Sequence, residues 1–436
     1  MVNSLKMKML YVTLGTALAA SSASAKVYVN SMCYMKANSA GQVIEGDQKK
    51  KEKFPLASIS KVVTSLWAVE KLGPDYRFKT KLHVTRVGND TYDVHIEGGR
   101  DPIFGRNSSY FLISELNRLS IPIKKIETLT FDENFLLDWL SEESPRIGGD
   151  TPYYDTIEKQ ADAVRNSLIA DFASAIRKDR YDSLKNKAAR IGVTMASTPT
   201  ISVRRVEFKP KSAYTKPEGT QTLVYKSAPL RVILKRMNNQ SNNYIADTMY
   251  WNLGGTTAFQ QFIKNSLSMN TDEMEFYLGS GNNANYIYNP NTDIYNEATC
   301  EAMVKVLYKL DKNLEKSGYE LSEVMAVAGV DSDSTVASYG GNFAGSTTAK
   351  TGSVNKAKTL AGTVSTKNGE IYFAVLMHTD NRTEWGSANA TIKKKVNQLI
   401  VDNGGAKSIN YKETLPLAFD KGSSLATEIS ANKNKG

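Results

Sequence analysis

The stretch Phe54-Pro55-Leu56-Ala57-Ser58-Ile59-Ser60-Lys61-Val62-Val63-Thr64 sets a serine and a lysine three residues apart at the head of an apolar helix. Ile59, Val62, Val63, Leu66 and Val69 recur at helical spacing, and Gly73-Pro74 ends the run. Ser58 and Lys61 therefore stand one turn apart on one helix face. A serine hydroxyl is a poor nucleophile until a neighbouring base takes its proton. An amine kept beside it in a dry pocket has its charged form disfavoured and can be that base. The spacing alone is common, since Ser353/Lys356 and Ser430/Lys433 share it, and by itself it reads first as a solvated helix start.

A chain of 436 residues can form two domains with a sizeable core. Its first residues read as an address rather than as fold. Lys6 and Lys8 precede an apolar stretch from Met9 to Ala20, and Ala23-Ser24-Ala25 is a small-residue cleavage site. Residues 1–25 are predicted to be a signal peptide, with Lys26 the mature N-terminus. The apolar part is too short to span a bilayer. No cysteine follows the cleavage site, so no lipid anchor is expected, and the polar stretch from Lys421 to Gly436 does not read as a membrane-surface helix. The expectation is a soluble exported protein, periplasmic if the cell has an outer membrane.

The net charge of +10 draws such a protein to anionic polymers, cell wall among them. Nucleic acid is not expected. There is no zinc-finger spacing, no aromatic RNA-binding motif and no basic run longer than the three lysines of Lys49-Lys50-Lys51. Cys33 and Cys300 are too few for a disulfide framework. They could pair in an oxidising compartment or lie as two buried thiols, and free thiols are favoured because a large core needs no staple. His83, His95 and His378 lie in strand-like stretches without a second ligand at metal spacing. They read as structural, and no metal or cofactor is expected.

Along the chain, Lys26 to Ile44 reads as a strand pair turning at Gly41. The serine helix then runs to about Leu72. Phe78–Val84 and Tyr92–Ile96 form a hairpin about Gly88-Asn89-Asp90. Phe111–Leu119 reads as helix and Ile123–Asp132 as strand. Glu158–Ala189 is a long charged helical stretch broken near Asp179 to Asp182, and Pro199–Tyr225 is strand and loop. A capped helix opens at Ser227-Ala228-Pro229, and an amphipathic helix at Glu297–Leu310 carries Cys300. Leu360–Thr366 and Ile371–His378 form a hairpin about Lys367-Asn368-Gly369, and Ala390–Val401 is a closing helix. This pattern predicts a catalytic domain made of residues 26–80 and 226–436, with an α+β accessory domain, 81–225, inserted into it.

Two later motifs complete the first. Ser58-x-x-Lys61 is followed by Ser241-Asn242-Asn243 and then by Lys350-Thr351-Gly352-Ser353 on a strand. Ser-x-Asn alone is common, as Ser353-Val354-Asn355 and Ser387-Ala388-Asn389 show, but Lys-Thr-Gly occurs once. In this order and spacing the three match the motif set of class A β-lactamases and penicillin-binding proteins. The chain resembles the penicillin-binding protein 4 type of D-alanyl-D-alanine carboxypeptidase/endopeptidase, the class C low-molecular-mass penicillin-binding proteins. The extension Leu72-Gly73-Pro74-Asp75-Tyr76-Arg77-Phe78, the stretch Met237-Asn238-Asn239-Gln240-Ser241-Asn242-Asn243 and the approach Val327-Ala328-Gly329-Val330-Asp331 carry the same likeness. It covers most of the mature chain and is weakest in the insert.

The resemblance implies an α/β (α+β) penicillin-binding transpeptidase/β-lactamase-like domain, an antiparallel sheet flanked by helices. It implies that Ser58 attacks the carbonyl between two D-alanines, or the D-amino-acid cross-link between peptidoglycan stems, and that Lys61 accepts its proton. Ser241 would pass a proton to the leaving amine, and Asn243 would fix Lys61 and the substrate amide. The backbone N–H groups of Ser58 and Ser353 would form the oxyanion hole. Lys350 would supply positive potential, the hydroxyls of Thr351 and Ser353 would bind a carboxylate, and Gly352 would let the substrate backbone approach the strand edge. The implied partners are peptidoglycan stems and cross-links, with β-lactams as covalent inhibitors. Two features depart from the pattern. Leu278-Gly279-Ser280-Gly281-Asn282 lacks the usual aspartate before Gly-Ser-Gly and the leucine after it, and the insert is short. Other readings are a β-lactamase, for which no Glu-x-x-Leu-Asn stands between Ser241 and Lys350, and a non-catalytic wall-binding or β-lactam-sensing protein.

Overall fold

The computed structural model describes residues 30–36, 44–137, 157–173 and 176–428. The expected signal peptide, its expected cleavage site and the expected turn at Gly41 lie outside the described residues.

Six antiparallel strands form the first sheet, in the order Ala326–Val327, Thr347–Val354, Ala357–Thr366, Gly369–His378, Asn30–Lys36, Ile44–Gly46. Its strand Gly369–His378 is buried on both sides from Ile371 to Met377. Alternation explains how. Tyr372, Ala374 and Leu376 pack with Met303, Leu307 and Leu310 of the helix Cys300–Glu315. Ile371, Phe373, Val375 and Met377 pack with Ile392, Val396 and Leu399 of the helix Trp385–Asp402 on the other side. The expected antiparallel sheet flanked by helices is thus present.

The serine helix, Ser60–Leu72, is buried through ten successive residues, Ser60 to Val69. It shares one core with Ile233, Leu234 and Met237 of the helix Leu230–Gln240 and with the helix Cys300–Glu315. Gly73 closes it with φ +83°, a conformation suited to glycine.

A second six-stranded sheet has the order Leu425–Thr427, Gln221–Lys226, Lys79–Gly88, Thr91–Glu97, Lys125–Phe131, Ser202–Phe208. The last two pairings are parallel. The helices Arg106–Arg118, Ile157–Leu168 and Lys178–Arg190 supply its own apolar core. The charged helical stretch is two helices whose break precedes Lys178, upstream of the expected Asp179–Asp182.

Two expectations are corrected. The expected catalytic domain took in all of residues 226–436, but Leu417, Phe419 and Leu425 are buried in the second core, and Leu425–Thr427 pairs with Gln221–Lys226. Phe419 stacks on Phe111 with centroids 4.2 Å apart. Cys33 and Cys300 are buried, but they are joined as a disulfide rather than free. Cys33 is an inward residue of the strand Asn30–Lys36, and Cys300 opens the helix packed on it. That places their Cα atoms 5.7 Å apart, within bridging range.

Among the described residues no helix is long and apolar enough to cross a membrane. The disulfide closes a loop of 267 residues. Replacing both cysteines by serine is expected to cost about 2–4 kcal/mol in urea unfolding at equilibrium, with the intact protein about two mass units lighter than its reduced form.

Candidate active site

The turn into the serine helix is strained. Ala57, a buried non-glycine residue, has φ +50°, a costly conformation that only firm surroundings maintain. Those surroundings are close. Thr359 Oγ1 donates to the Leu56 carbonyl at 2.9 Å. A Cβ on Gly352 would lie 2.2 Å from Thr359 Oγ1 and 2.8 Å from the Leu56 carbonyl oxygen. Gly352 is thus required by the packing of its strand on the serine turn, a reason additional to substrate approach.

Lys61 is completely buried. Its Nζ lies 3.1 Å from Ser58 Oγ, 2.8 Å from Asn243 Oδ1 and 3.0 Å from the Ser280 carbonyl oxygen. All three are neutral oxygens. Burial pushes the Lys61 pKa down to about 7, against a smaller upward pull from Asp247.

The second motif is a tight turn between two helices. Ser241 ends Leu230–Gln240 in the left-handed region, φ +57°. Asn242 Oδ1 then caps Asn243–Asn252 by accepting from Ile245 N at 3.0 Å. The turn frees the side chains of Ser241 and Asn243 for the cleft. Lys350 Nζ donates to Ser241 Oγ and to the Thr351 carbonyl, both at 2.9 Å. Lys350 is fully buried, and burial together with the positive charges of Lys61 and Lys358 holds its pKa well below the usual lysine value. Thr351 Oγ1 donates to Thr335 Oγ1 at 2.9 Å, and Ser353 Oγ accepts from Lys358 Nζ at 2.5 Å.

The structure thus brings Ser58, Lys61, Ser241, Asn243, Lys350, Thr351, Gly352 and Ser353 to one cleft. Sequence reasoning missed several of their neighbours. The Ser280 carbonyl holds Lys61, while Ser280 N donates to Asp247 Oδ1 at 2.7 Å. A Cβ on Gly279 would lie 2.1 Å from the Ala246 carbonyl oxygen, and one on Gly281 2.1 Å from that of Ala57. Gly-Ser-Gly is therefore a thread between the serine turn and the next helix. Leu278, standing where an aspartate was expected, is buried, and its backbone is held by Asn296. Lys358 and Thr359, on the strand beside the Lys-Thr-Gly strand, had no signal in the sequence.

Fold and site together define a serine peptidase in which a lysine stands where many others use histidine. The sequence profile of the D-Ala-D-Ala carboxypeptidase 3 (S13) family matches residues 21–138 and 204–399, and the chain belongs to that family. It is a serine-type D,D-peptidase by family. Among solved structures, the chain is similar to Bd3459, a predatory endopeptidase from Bdellovibrio bacteriovorus in complex with the immunity protein Bd3460. Identity is 63%, covering 92% of this chain and 100% of that one, with TM-score 0.88. The same endopeptidase acylated by penicillin G matches at 60% identity over the same shares, TM-score 0.84. Bd0816, another predatory endopeptidase of that organism solved with Bd3460, is 56% identical over 92% and 100% of the two chains, TM-score 0.87. Penicillin binding protein 4 from Haemophilus influenzae shares the fold at 18% identity, covering 81% and 91%, TM-score 0.52. No curated protein matches by sequence.

The fit around Gly352 can be tested directly. Gly352→Ala should push the strand off the serine turn, cost about 1–3 kcal/mol of stability by overpacking, and lower hydrolysis of a D-Ala-D-Ala peptide at the same time. Thermal unfolding and a rate assay on one preparation check both.

Proposed function

We propose that this chain hydrolyses D,D-peptide bonds of peptidoglycan through an acyl-enzyme on Ser58, cleaving cross-links between stems and trimming terminal D-alanine. The observation that carries the reading is the buried Lys61 amine, 3.1 Å from Ser58 Oγ and bonded otherwise only to neutral oxygens. Near neutral pH a large share of such an amine is unprotonated, and its lone pair can take the hydroxyl proton as Ser58 Oγ bonds to the carbonyl carbon. The carbonyl oxygen becomes an oxyanion held by the backbone N–H groups of Ser58 and Ser353. Collapse breaks the C–N bond, and the proton returns to the leaving amine through Ser241, which Lys350 orients. Water then attacks the ester, giving the free carboxylate and restoring Ser58. Asn243 holds Lys61 and is placed to meet the substrate amide.

The similar Bdellovibrio proteins support endopeptidase action and acylation by a β-lactam. Their solved complexes with an immunity protein support a partner of that kind for this chain, where the sequence named none. Export, to the periplasm or outside the cell, fits a wall substrate and the +10 net charge.

Penicillin G should label Ser58 covalently. Mass spectrometry of the adduct checks this, and a label on another serine, or none on the wild type, would refute the reading. Ser58→Ala should fold normally and be inert.

The acylation rate should follow the neutral fraction of Lys61. A group with its pKa near 7 is mostly protonated below that pH, so the rate should rise about tenfold per unit below it and level off above. Lys61→Arg, which stays protonated, should lose about 10²–10⁴ in rate at every pH.

Purified cross-linked sacculi should be cleaved faster than a soluble pentapeptide at low salt, with the advantage shrinking as salt screens the basic surface. Trimming of the pentapeptide with sacculi untouched at both salt levels would refute the endopeptidase part.

A further inference from the structure

Exposed aromatic rings gather in one place on this molecule. Among the described residues four aromatic side chains are exposed, Tyr76, Trp251, Tyr286 and Tyr288. The last three stand on two segments that touch. Trp251 belongs to the helix Asn243–Asn252, and Tyr286 and Tyr288 to the short helix Asn285–Tyr288. Tyr288 Oη meets Thr256 Oγ1 at 3.0 Å and the Tyr277 carbonyl at 3.3 Å, and its ring meets that of Tyr277 edge-on, centroids 5.4 Å apart. Gly255, beside Thr256, lies against Trp251: a Cβ there would be 2.6 Å from the indole. Single exposed apolar residues are ordinary, but clustered ones mark a contact surface.

The two segments are also uncharged. Residues 248–263 and 276–292 contain no Asp, Glu, Lys or Arg, in a chain that is 23% charged. Five asparagines stand between 282 and 291, and Asn289 and Asn291 are exposed. The amides fix the loop as well: Asn283 Nδ2 donates to Asp293 Oδ1 at 2.7 Å, and Asn289 Oδ1 accepts from Asn291 N at 3.1 Å. Arg100, donating to Asn252 Oδ1 at 2.7 Å, stands at the border. Held aromatic faces rimmed by neutral amides suit a pyranose. Its C–H face can rest on a ring, while hydroxyl and acetamido groups exchange hydrogen bonds with the amides. A charged polymer would meet few opposite charges here.

The patch is continuous with the cleft. Its loop leaves the serine turn at Gly281, where a Cβ would lie 2.1 Å from the Ala57 carbonyl oxygen, and returns at Tyr295, which packs with Ala57 and Val354. Trp251 lies eight residues along its helix from Asn243, about 12 Å at 1.5 Å per residue. An extended peptide covers that in about four residues, so a stem held at Ser58 can carry its sugar to the patch. We propose that Trp251, Tyr286 and Tyr288 form a docking platform for the N-acetylated glycan strand of peptidoglycan. This rests on the function proposed above and adds to it a contact with the sugar rather than the peptide.

The experiment compares, for the full chain, cleavage of purified cross-linked sacculi with acylation by penicillin G, which carries no sugar. High salt is used, so that attraction by the basic surface is screened. Trp251→Leu and Tyr288→Leu should each lower sacculus cleavage about tenfold, the weight of an aromatic anchor in an interface, with acylation of Ser58 unchanged. Trp251→Tyr, which keeps a ring, should retain most of the rate. Tyr286→Ala serves if either leucine variant is poorly folded, and the acylation rate reports the fold of each. Chitotetraose, a chain of four N-acetylglucosamine units without peptide, should change the tryptophan fluorescence of the wild type but alter that of Trp251→Leu far less. An equal fall in cleavage and acylation would show a packing role and overturn the proposal, as would the same fluorescence change in both proteins or none in the wild type. Unchanged cleavage in the variants would overturn it too and leave the patch to a protein partner. A wild type that penicillin G does not label, or that leaves sacculi intact, would overturn the function itself, an outcome distinct from these.

Discussion

Burial of one amine governs the cleft. Among the described residues, Lys61 has no carboxylate in hydrogen-bond reach, only the oxygens of Ser58, Asn243 and Ser280, and it is fully buried. A charged ammonium in such a place costs more than three neutral acceptors return, so the equilibrium moves toward the free amine. The nearest acid, Asp247, acts at one remove, gripping the backbone N–H of Ser280 while the Ser280 carbonyl meets Lys61. A direct ion pair would raise the Lys61 pKa back toward the ordinary lysine value and, in the proposed mechanism, leave Ser58 without a base. The apolar wrapping of the serine helix is therefore part of the chemistry as well as of the stability.

That wrapping draws on distant segments, and each is tied to its neighbours by a few polar contacts. The helix ahead of Ser241 is held by Lys235, whose buried ammonium meets Asp331 at 2.6 Å and the carbonyls of Ser322 and Met325. Asp331 also accepts from Val327 N and Tyr411 Oη, both at 2.7 Å. A buried pair of this kind adds little net stability but a large penalty for misplacement. Here it sets the second motif against the segment that leads into the Lys-Thr-Gly strand. Thr359 does the same between that sheet and the serine turn.

What was legible in the sequence was local or periodic. The serine helix shows as an apolar run with a glycine stop, and the hairpin Ala357–His378 shows as alternation about a turn. The three motifs were legible because their chemistry needs rare residue combinations. The rest depends on contacts between residues far apart in the chain. Nothing near Cys33 says that it faces Cys300, because only the packing of the strand Asn30–Lys36 on a helix 267 residues later brings them together. Leu417 and Phe419 stand in the short apolar run 415–419 and Leu425 alone in the polar stretch after it, and their burial follows from a sheet edge built by residues 221–226. Arg77 reinforces that closure by a bidentate pair with Asp420 at 2.7 and 2.9 Å. Lys358 looked like any charge at a strand end. Its register opposite Ser353 is visible only once the strands are paired.

Three lysines in one cleft would repel one another if all were charged, and the fold separates their environments. Lys61 is enclosed by the serine helix and sees neutral acceptors. Lys350 is enclosed behind its strand, where burial and its two lysine neighbours both favour the neutral form. Lys358 is partly buried beside the Trp385 ring, and burial, with the positive charge of Lys393, lowers its pKa as well. In the proposed mechanism, disfavouring the charged forms of the first two lowers the positive charge that a proton on Ser241 or Lys61 must face. The alternation of a single β-strand, with Lys350 on one face and Thr351 and Ser353 on the other, is what separates Lys350 from Lys358, which stands opposite Ser353.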